Sequence, residues 1–336
     1  MNPYIHRTMK SVFQYIFLMM TLPVLMPSCS PGKDEKIRVI FDTDTNNELD
    51  DQHALAYLLM NDGIFDLEAV TVNATRSGGG IDEQYDEAKR VMRLVSKLGS
   101  CPLLKGADRS FNEIYEHLND EWYDGYDAVE YIIERAQDAK GGKLVVIAVG
   151  KLTNIALALG KAPDISQKIR LVWLGSNYPD QGEYNLENDV DALNFVLSTD
   201  VPFEMVLVRY GFNDGTDAVR VTLAEIREKM SHPAHHLKAS IIGRHGGEFY
   251  NFGEYSINLF ENSQLHGTEK SRALFDMAAV AIVKNPEWAA KREIPAPYYE
   301  NGQWNEYPDN SRTITLWENF NRDAIVADFF AIVAGH

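Results

Sequence analysis

The chain is poor in three things, and each shortage excludes a class of protein. It has only two cysteines, Cys29 and Cys101, in 336 residues. With Cys29 reserved for lipid, as argued below, Cys101 is the one thiol left. An internal disulfide, a cysteine-built metal site and a dithiol redox pair are then all excluded. The chain is also short of base: 32 Lys and Arg stand against 49 Asp and Glu, a net charge of −17. Phosphate backbones need basic stripes, so this balance argues against a nucleic-acid binder and suits a protein that holds a hard cation. Third, familiar catalytic signatures are missing. There is no Gly-x-Ser-x-Gly elbow of a serine hydrolase, and Val149-Gly150-Lys151-Leu152-Thr153-Asn154 lacks the glycine spacing and Lys-Ser/Thr pair of a P-loop. No internal repeat, low-complexity tract or Pro/Gly-rich linker divides the residues after the N-terminal segment. A composition of 45% hydrophobic and 24% charged residues rules out wholesale disorder.

Residues 1–28 read as an export signal. They carry Arg7 and Lys10 and no acid, followed by an apolar run from Val12 to Met26 that Gln14, Thr21 and Pro23 interrupt. The run is too short and too broken for a membrane span. It ends in Leu25-Met26-Pro27-Ser28-Cys29, which resembles a bacterial lipobox with Cys29 as the lipidation site; an ordinary signal peptide cleaved near a chance cysteine is the alternative. Lys33-Asp34-Glu35 resembles the surface-export signals of some Gram-negative lipoproteins. The expectation is a lipoprotein signal peptide (1–28), a tether (29–36) and a single domain (37–336), anchored by lipid in the bacterial cell envelope, periplasmic or at the outer-membrane surface.

From Ile37 the chain alternates short apolar runs with helical periodicity. Ile37–Phe41, Leu67–Val72, Leu144–Val149, Ile169–Leu174 and Glu204–Val208 read as strands. Between them, Ala54, Leu55, Leu58 and Leu59 share one helical face, and Tyr85, Ala88, Met92 and Val95 another. Thr153 or Asn154 can cap a helix that stops at Gly160, before Pro163. This alternation predicts an α/β fold: an open, mostly parallel sheet flanked by helices, with a Rossmann-like core. Residues 232–272, rich in His, Gly and aromatics without a clear period, are expected to cover the open end of the sheet. Ligands of such sheets bind at the C-terminal ends of the strands.

The unusual residues fall at those ends. The first strand runs into Asp42-Thr43-Asp44-Thr45-Asn46-Asn47-Glu48-Leu49-Asp50-Asp51, in which five of ten residues are acidic. Crowded carboxylates repel unless a cation neutralises them, and all-oxygen ligands favour Ca²⁺ or Mg²⁺ over zinc. Read alone, the segment is equally a solvated acidic loop capping a helix. Asp276 is the only non-apolar residue among the eleven of Ala273–Val283. A carboxylate in such a helix needs a partner, either a shared metal or a buried Arg or Lys. Two further pieces are the Val149–Asn154 corner and Glu183-Tyr184-Asn185-Leu186-Glu187-Asn188-Asp189, whose acids and amides suit hydroxyl groups.

Together the four pieces resemble the inosine–uridine-preferring nucleoside hydrolase family. Its Asp-x-Asp-Pro-Gly-x-Asp-Asp motif corresponds to Asp42-Thr43-Asp44, a longer turn, and Asp50-Asp51. Its Thr-Gly-x-Leu-Thr-Asn corner corresponds to Val149–Asn154, its Glu-Phe-Asn segment to Glu183-Tyr184-Asn185, and its late Asp to Asp276. Cys101-Pro102-Leu103 followed by Gly106 looks like its Val-Pro-Ile strand. The ordered resemblance spans about residues 37–285. It implies hydrolysis of the N-glycosidic bond of ribonucleosides, releasing ribose and free base. By the same resemblance, Asp44, Asp51, Asp276 and the Val149 carbonyl would ligate Ca²⁺, and Asp44 would also be the general base toward a Ca²⁺-bound water. Asp50, Asn73, Glu183 and Asn185 would hold the ribose. The implied partner is a ribonucleoside or related ribosyl compound. Nucleic acid is not expected, the membrane is met only through the lipid anchor, and a homo-oligomer stays open.

The chain departs from the family in two places. Thr45-Asn46-Asn47-Glu48 replaces the Pro-Gly turn, and Phe275 stands where many members have a His that protonates the leaving base. Substitutes for that histidine include His245, Phe249, Tyr250, Phe252, Tyr255 and His266, or Trp122 and Tyr123. His232, His235 and His236 hint at a metal cluster, and Arg76 with Gly78-Gly79-Gly80 at a phosphate seat. Two rivals remain. One is a non-catalytic or differently specific sugar-binding lipoprotein. The other is a Mg²⁺-dependent phosphatase of haloacid-dehalogenase type, which also opens on strand-Asp-x-Asp but whose downstream motifs are not found here.

Overall fold

Alternating side chains along the central strands are apolar on both faces, which forces helices onto both faces of the sheet. A computed structural model describes residues 36–138, 141–231 and 236–334. The export signal, Cys29 and most of the tether lie outside these residues, as do His232 and His235. The strands are β1 (Ile37–Thr43), β2 (Phe65–Val72), β3 (Leu103–Lys105), β4 (Leu144–Ala148), β5 (Ile169–Ser176) and β6 (Phe203–Leu207). They lie in the order β3-β2-β1-β4-β5-β6, continued by Thr313–Glu318 and edged by Ala290–Pro295. All run parallel except the edge strand, which pairs antiparallel with Thr313–Glu318.

Val39 and Phe41, Val145 and Ile147, Val172 and Leu174 point into one apolar layer. Ile40, Val146, Leu171 and Trp173 point into the other. The first layer is closed by α1 (Leu49–Met60), α2 (Ile81–Leu94) and the helices Phe252–Glu261, Phe275–Lys284 and Arg322–Val333. The second is closed by the helices Tyr126–Gln137, Thr153–Lys161 and Val190–Ser198. Strand order reverses between β1 and β4, and their C-terminal ends open the crevice where such folds bind ligands.

Three local features differ from the sequence expectation. Residues 248–261 contain the helix Phe252–Glu261, whose Phe252, Tyr255, Leu259 and Phe260 are buried. Its stripe was hidden because Gly253 and Ser256 are buried beside those aromatics. Ser256 Oγ lies 2.7 Å from His53 Nε2 of α1, and Tyr255 donates to Glu87 of α2 at 2.6 Å, so this helix packs on α1 and α2. Among the described residues of 236–273, only the stretch around His266–Ala273 lines the crevice. Asn154 does not cap its helix, which starts after Leu152 and runs to Lys161. Its buried amide instead donates to Asp42 at 2.7 Å and accepts from the Ala107 backbone at 2.8 Å, pinning β1 to the loop after β3. The strands Ala290–Pro295 and Thr313–Glu318 extend the sheet beyond the segments recognised from apolar runs. No helix among the described residues is long and apolar enough to cross a membrane.

Candidate active site and metal centre

The end of β1 delivers two buried aspartates with opposite fates. Asp42 is saturated: Thr71 Oγ1 at 2.6 Å and the amides of Asn73 and Asn154 at 2.7 Å all donate to it. Burial nevertheless pushes its carboxyl up to about 6. Asp44 accepts from Thr75 Oγ1 at 2.6 Å through Oδ2, while its buried Oδ1 has no hydrogen-bond partner among the described residues. Burial pushes it, too, up to about 6. Gly150, just past β4, lets the chain approach this pair: a Cβ there would meet the Asn73 amide at 2.9 Å and Asp44 Oδ1 at 3.0 Å.

Two helix N-termini supply the other carboxylates. Asp50 and Asp51 lie in the first turn of α1, and Asp276 in the first turn of Phe275–Lys284, which packs against α1. Helix N-termini favour negative charge, yet here the charges meet. Asp50, Asp51 and Asp276 each present a carboxylate oxygen within 4.8 Å of the others. Burial, reinforced by the charge of Asp44, pushes Asp50 up to about 7. Asp51 and Asp276 are raised well above the ordinary carboxylate range, by burial first and then by neighbouring acids. Thr43 donates to Asp51 at 2.6 Å. Oxygens sharing one Ca²⁺ at about 2.3–2.6 Å each lie within about 5 Å of one another. The trio meets that limit with oxygen donors alone, and the orphaned Asp44 Oδ1 belongs to the same charge cluster. The residues therefore fit a hard divalent cation.

The β4 and β5 ends complete the floor. The Val149 carbonyl accepts from Asn185 Nδ2 at 2.7 Å, and the same amide donates to the Leu174 carbonyl at 3.0 Å. Glu183 is the N-cap of the short helix Tyr184–Asn188 and accepts from the Leu186 backbone at 2.9 Å. Burial pushes Glu183 up to about 8. Asp44, Asp50, Asp51, Val149, Glu183, Asn185 and Asp276 all line one cavity of about 710 Å³. Asn73 stands behind that lining: its amide is committed to Asp42, and its Oδ1 is buried without a partner.

The rest of the lining was largely missed in the sequence: Tyr210, Asp217, Arg220, Arg272 and Phe275 also line the cavity. Tyr210 follows the end of β6, and the strand-end rule could have flagged it; Arg272 sits four residues before Asp276. Of the substitutes considered for the missing histidine, only His266 lines the cavity. Phe252 and Tyr255 are core residues, His245 and Tyr250 are exposed, and Phe249 packs against Tyr255. Trp122 is 69% exposed, and Tyr123 is buried and donates to Glu130. Gly78 forms a tight turn whose carbonyl accepts from Asn46 Nδ2 at 2.7 Å, and the exposed Arg76 pairs with Glu187 at 3.1 Å. His236 pairs with Glu254 at 3.4 Å.

With this geometry established, comparison with known proteins defines the class. Residues 39–325 match the family model of the inosine-uridine preferring nucleoside hydrolases, and the chain belongs to that family. A fission yeast (Schizosaccharomyces pombe) protein of uncharacterised role is 31% identical over 105 residues, 29% of this chain and 34% of its own. A putative pyrimidine-specific ribonucleoside hydrolase, RihB, of Shigella boydii is 35% identical over 85 residues, 24% of this chain and 35% of its own. The matched stretches thus span about a third of these relatives' length. The solved structure of a purine-preferring ribonucleoside hydrolase from Gardnerella vaginalis covers 89% of this chain and 98% of that one, with a TM-score of 0.66 and 19% identity. That likeness shows the shared fold.

The raised carboxylates give a signed prediction. Between the ordinary values of 3.8 for aspartate and 4.5 for glutamate and the folded values of about 6 for Asp44, 7 for Asp50 and 8 for Glu183, the folded state binds more protons than the unfolded. Stability then falls as pH rises through that window. Thermal melts in EDTA are predicted to show Tm falling from pH 5 to pH 8, and excess Ca²⁺ to flatten the fall. A cation-free Tm that is level or rising would contradict the crowding.

Proposed function

We propose that the protein hydrolyses the N-glycosidic bond of ribonucleosides, with Ca²⁺ held by Asp44, Asp51, Asp276 and the Val149 carbonyl. The observation that carries this reading is the meeting of the Asp50, Asp51 and Asp276 oxygens beside the orphaned Asp44 Oδ1, in a cavity that also holds Glu183 and Asn185. The trio includes Asp50, which thus stands close enough to serve either the ion or the sugar. When bound, the cation neutralises the cluster and lowers the pKa of a coordinated water.

The chain's own residues do the rest. Asp44 takes the proton of the attacking water through Oδ1, its Oδ2 being fixed by Thr75. Asp50 accepts from ribose hydroxyls. Glu183, pushed up by burial to about 8, can donate to a hydroxyl when protonated and accept when ionised. Asn185, anchored through its amide to two carbonyls, keeps its side chain fixed beside Glu183. Asn73 acts by holding Asp42 at the end of β1. N-glycosidic cleavage passes through a ribosyl cation, and a floor of carboxylates favours that positive charge. The same proposal places the mature protein in the bacterial envelope, lipidated on Cys29, which lies outside the described residues.

The direct test is a reducing-sugar assay on a nucleoside panel. Wild type is expected to release ribose, EDTA to abolish the release, and Asp51→Ala to lower kcat/KM by at least about 10³-fold, in keeping with loss of a charge-stabilising site. Equal rates for wild type and Asp51→Ala, or no release by either, would sink the hydrolase reading. Ribose affinity without turnover would favour a binding protein, and phosphate release from a sugar phosphate a phosphatase. For the anchor, Cys29→Ala should move the protein from the membrane to the soluble fraction; an unchanged distribution would refute it.

A further inference from the structure

The cavity lining is chemically mixed. Part of it is carboxylate, and another part, the wall formed by Tyr210, Phe275, Arg220 and Arg272, is aromatic and guanidinium. Tyr210 and Phe275 meet edge to face, with ring centroids 5.7 Å apart and planes at 85°. Tyr210 remains 47% exposed and Phe275 half-buried, so ring surface is left for a planar ligand. With ribose-binding groups on the floor, the wall is where a leaving base would stand.

Two guanidinium groups line that wall, and they are not equivalent. Arg220 is fully engaged: Nη1 pairs with Asp217 at 2.6 Å, Nε donates to Ser271 Oγ at 3.0 Å and Nη2 to the Ser271 carbonyl at 3.4 Å. Arg272 pairs through Nη2 with Glu48 and donates through Nη1 to His266 Nε2 and the Gln264 carbonyl, both at 3.3 Å. Its Nε is buried and has no acceptor among the described residues. A buried donor without an acceptor is costly and marks a place for one.

His266, the candidate substitute for the histidine that Phe275 replaces, is engaged through Nε2, which accepts from Arg272 at 3.3 Å. What the wall offers a departing base is an unpartnered guanidinium N–H donor and aromatic faces.

We propose that the Arg272 Nε donor, with the Tyr210–Phe275 pair, stabilises the departing base. The inference rests on the hydrolase reading. Water adds to C1′ and gives its proton to Asp44. The C1′–N bond breaks, and its electron pair passes to the base nitrogen and delocalises onto the exocyclic oxygen. Arg272 stabilises that oxygen's charge, and the base takes a proton from solvent after it departs. Electrostatic donors aimed at developing charge act in this way in other active sites.

The test compares uridine, whose base is a poor leaving group, with 4-nitrophenyl riboside, whose nitrophenolate departs unaided. Arg272→Ala is expected to lower kcat/KM about 10²-fold on uridine and only a few-fold, about threefold at most, on the aryl riboside. Arg272→Lys should recover part of the uridine rate. Tyr210→Ala should raise KM on both substrates, because both carry a planar ring. Equal losses on the two substrates would show a structural role through Glu48 and overturn the inference, as would no loss on either. An unchanged KM in Tyr210→Ala would remove the aromatic pair from the subsite. If wild type cleaves neither substrate, it is the hydrolase reading that fails.

Discussion

Like charges forced together out of water are the constraint on which the site depends. Asp44, Asp50, Asp51 and Asp276 are all at most 5% exposed, and each raises or feels the others' charge. Such a group is tolerable when protons or a cation neutralise it. Two helix N-termini lessen the cost without cancelling it. Thr43 and Thr75 hold one oxygen each of Asp51 and Asp44, which orients the carboxylates and leaves Asp44 Oδ1 without a hydrogen-bond partner among the described residues.

The fold exists around this cluster in a specific way. The strand order reverses between β1 and β4, so Asp42 and Asp44 face the Val149–Gly150 corner across the crevice. Asp42 carries no free oxygen; bonded to Thr71, Asn73 and Asn154, it ties β1, β2 and the helix after β4 at the point where the site begins. Gly150 keeps the corner close, since a side chain there would strike Asp44 and Asn73. The apolar stretch around Asp276 buries that helix against α1, so the two acidic N-termini cannot separate without exposing core.

Much of this was legible in the sequence, for physical reasons. Fully buried parallel strands are near-continuous apolar runs, and β1, β4 and β5 could be read directly. Asp276 stood out because one acid in an eleven-residue apolar stretch needs a partner. Other features were not legible. The last two strands are an edge pair in which exposed Lys291, Arg292 and Glu293 break the apolar pattern. The helix Phe252–Glu261 buries Gly253 and Ser256 within its stripe. Asn73 and Asn154 looked like a sugar contact and a cap; only tertiary contact reveals that both serve Asp42. The wall of Tyr210, Arg220 and Arg272 comes from segments distant in the chain, each ordinary by itself.

The central claim is that the carboxylate cluster is a cation site that exchanges protons for an ion. Calorimetric titration of Ca²⁺ into EDTA-stripped protein near pH 7, in two buffers of different protonation enthalpy, tests it most directly. The account predicts about one ion bound per chain with net release of protons, because raised carboxyls such as Asp51 and Asp276 must ionise to bind it. It also predicts loss of that binding in Asp276→Asn. Absence of binding heat, or binding with no proton release in either buffer, would contradict it.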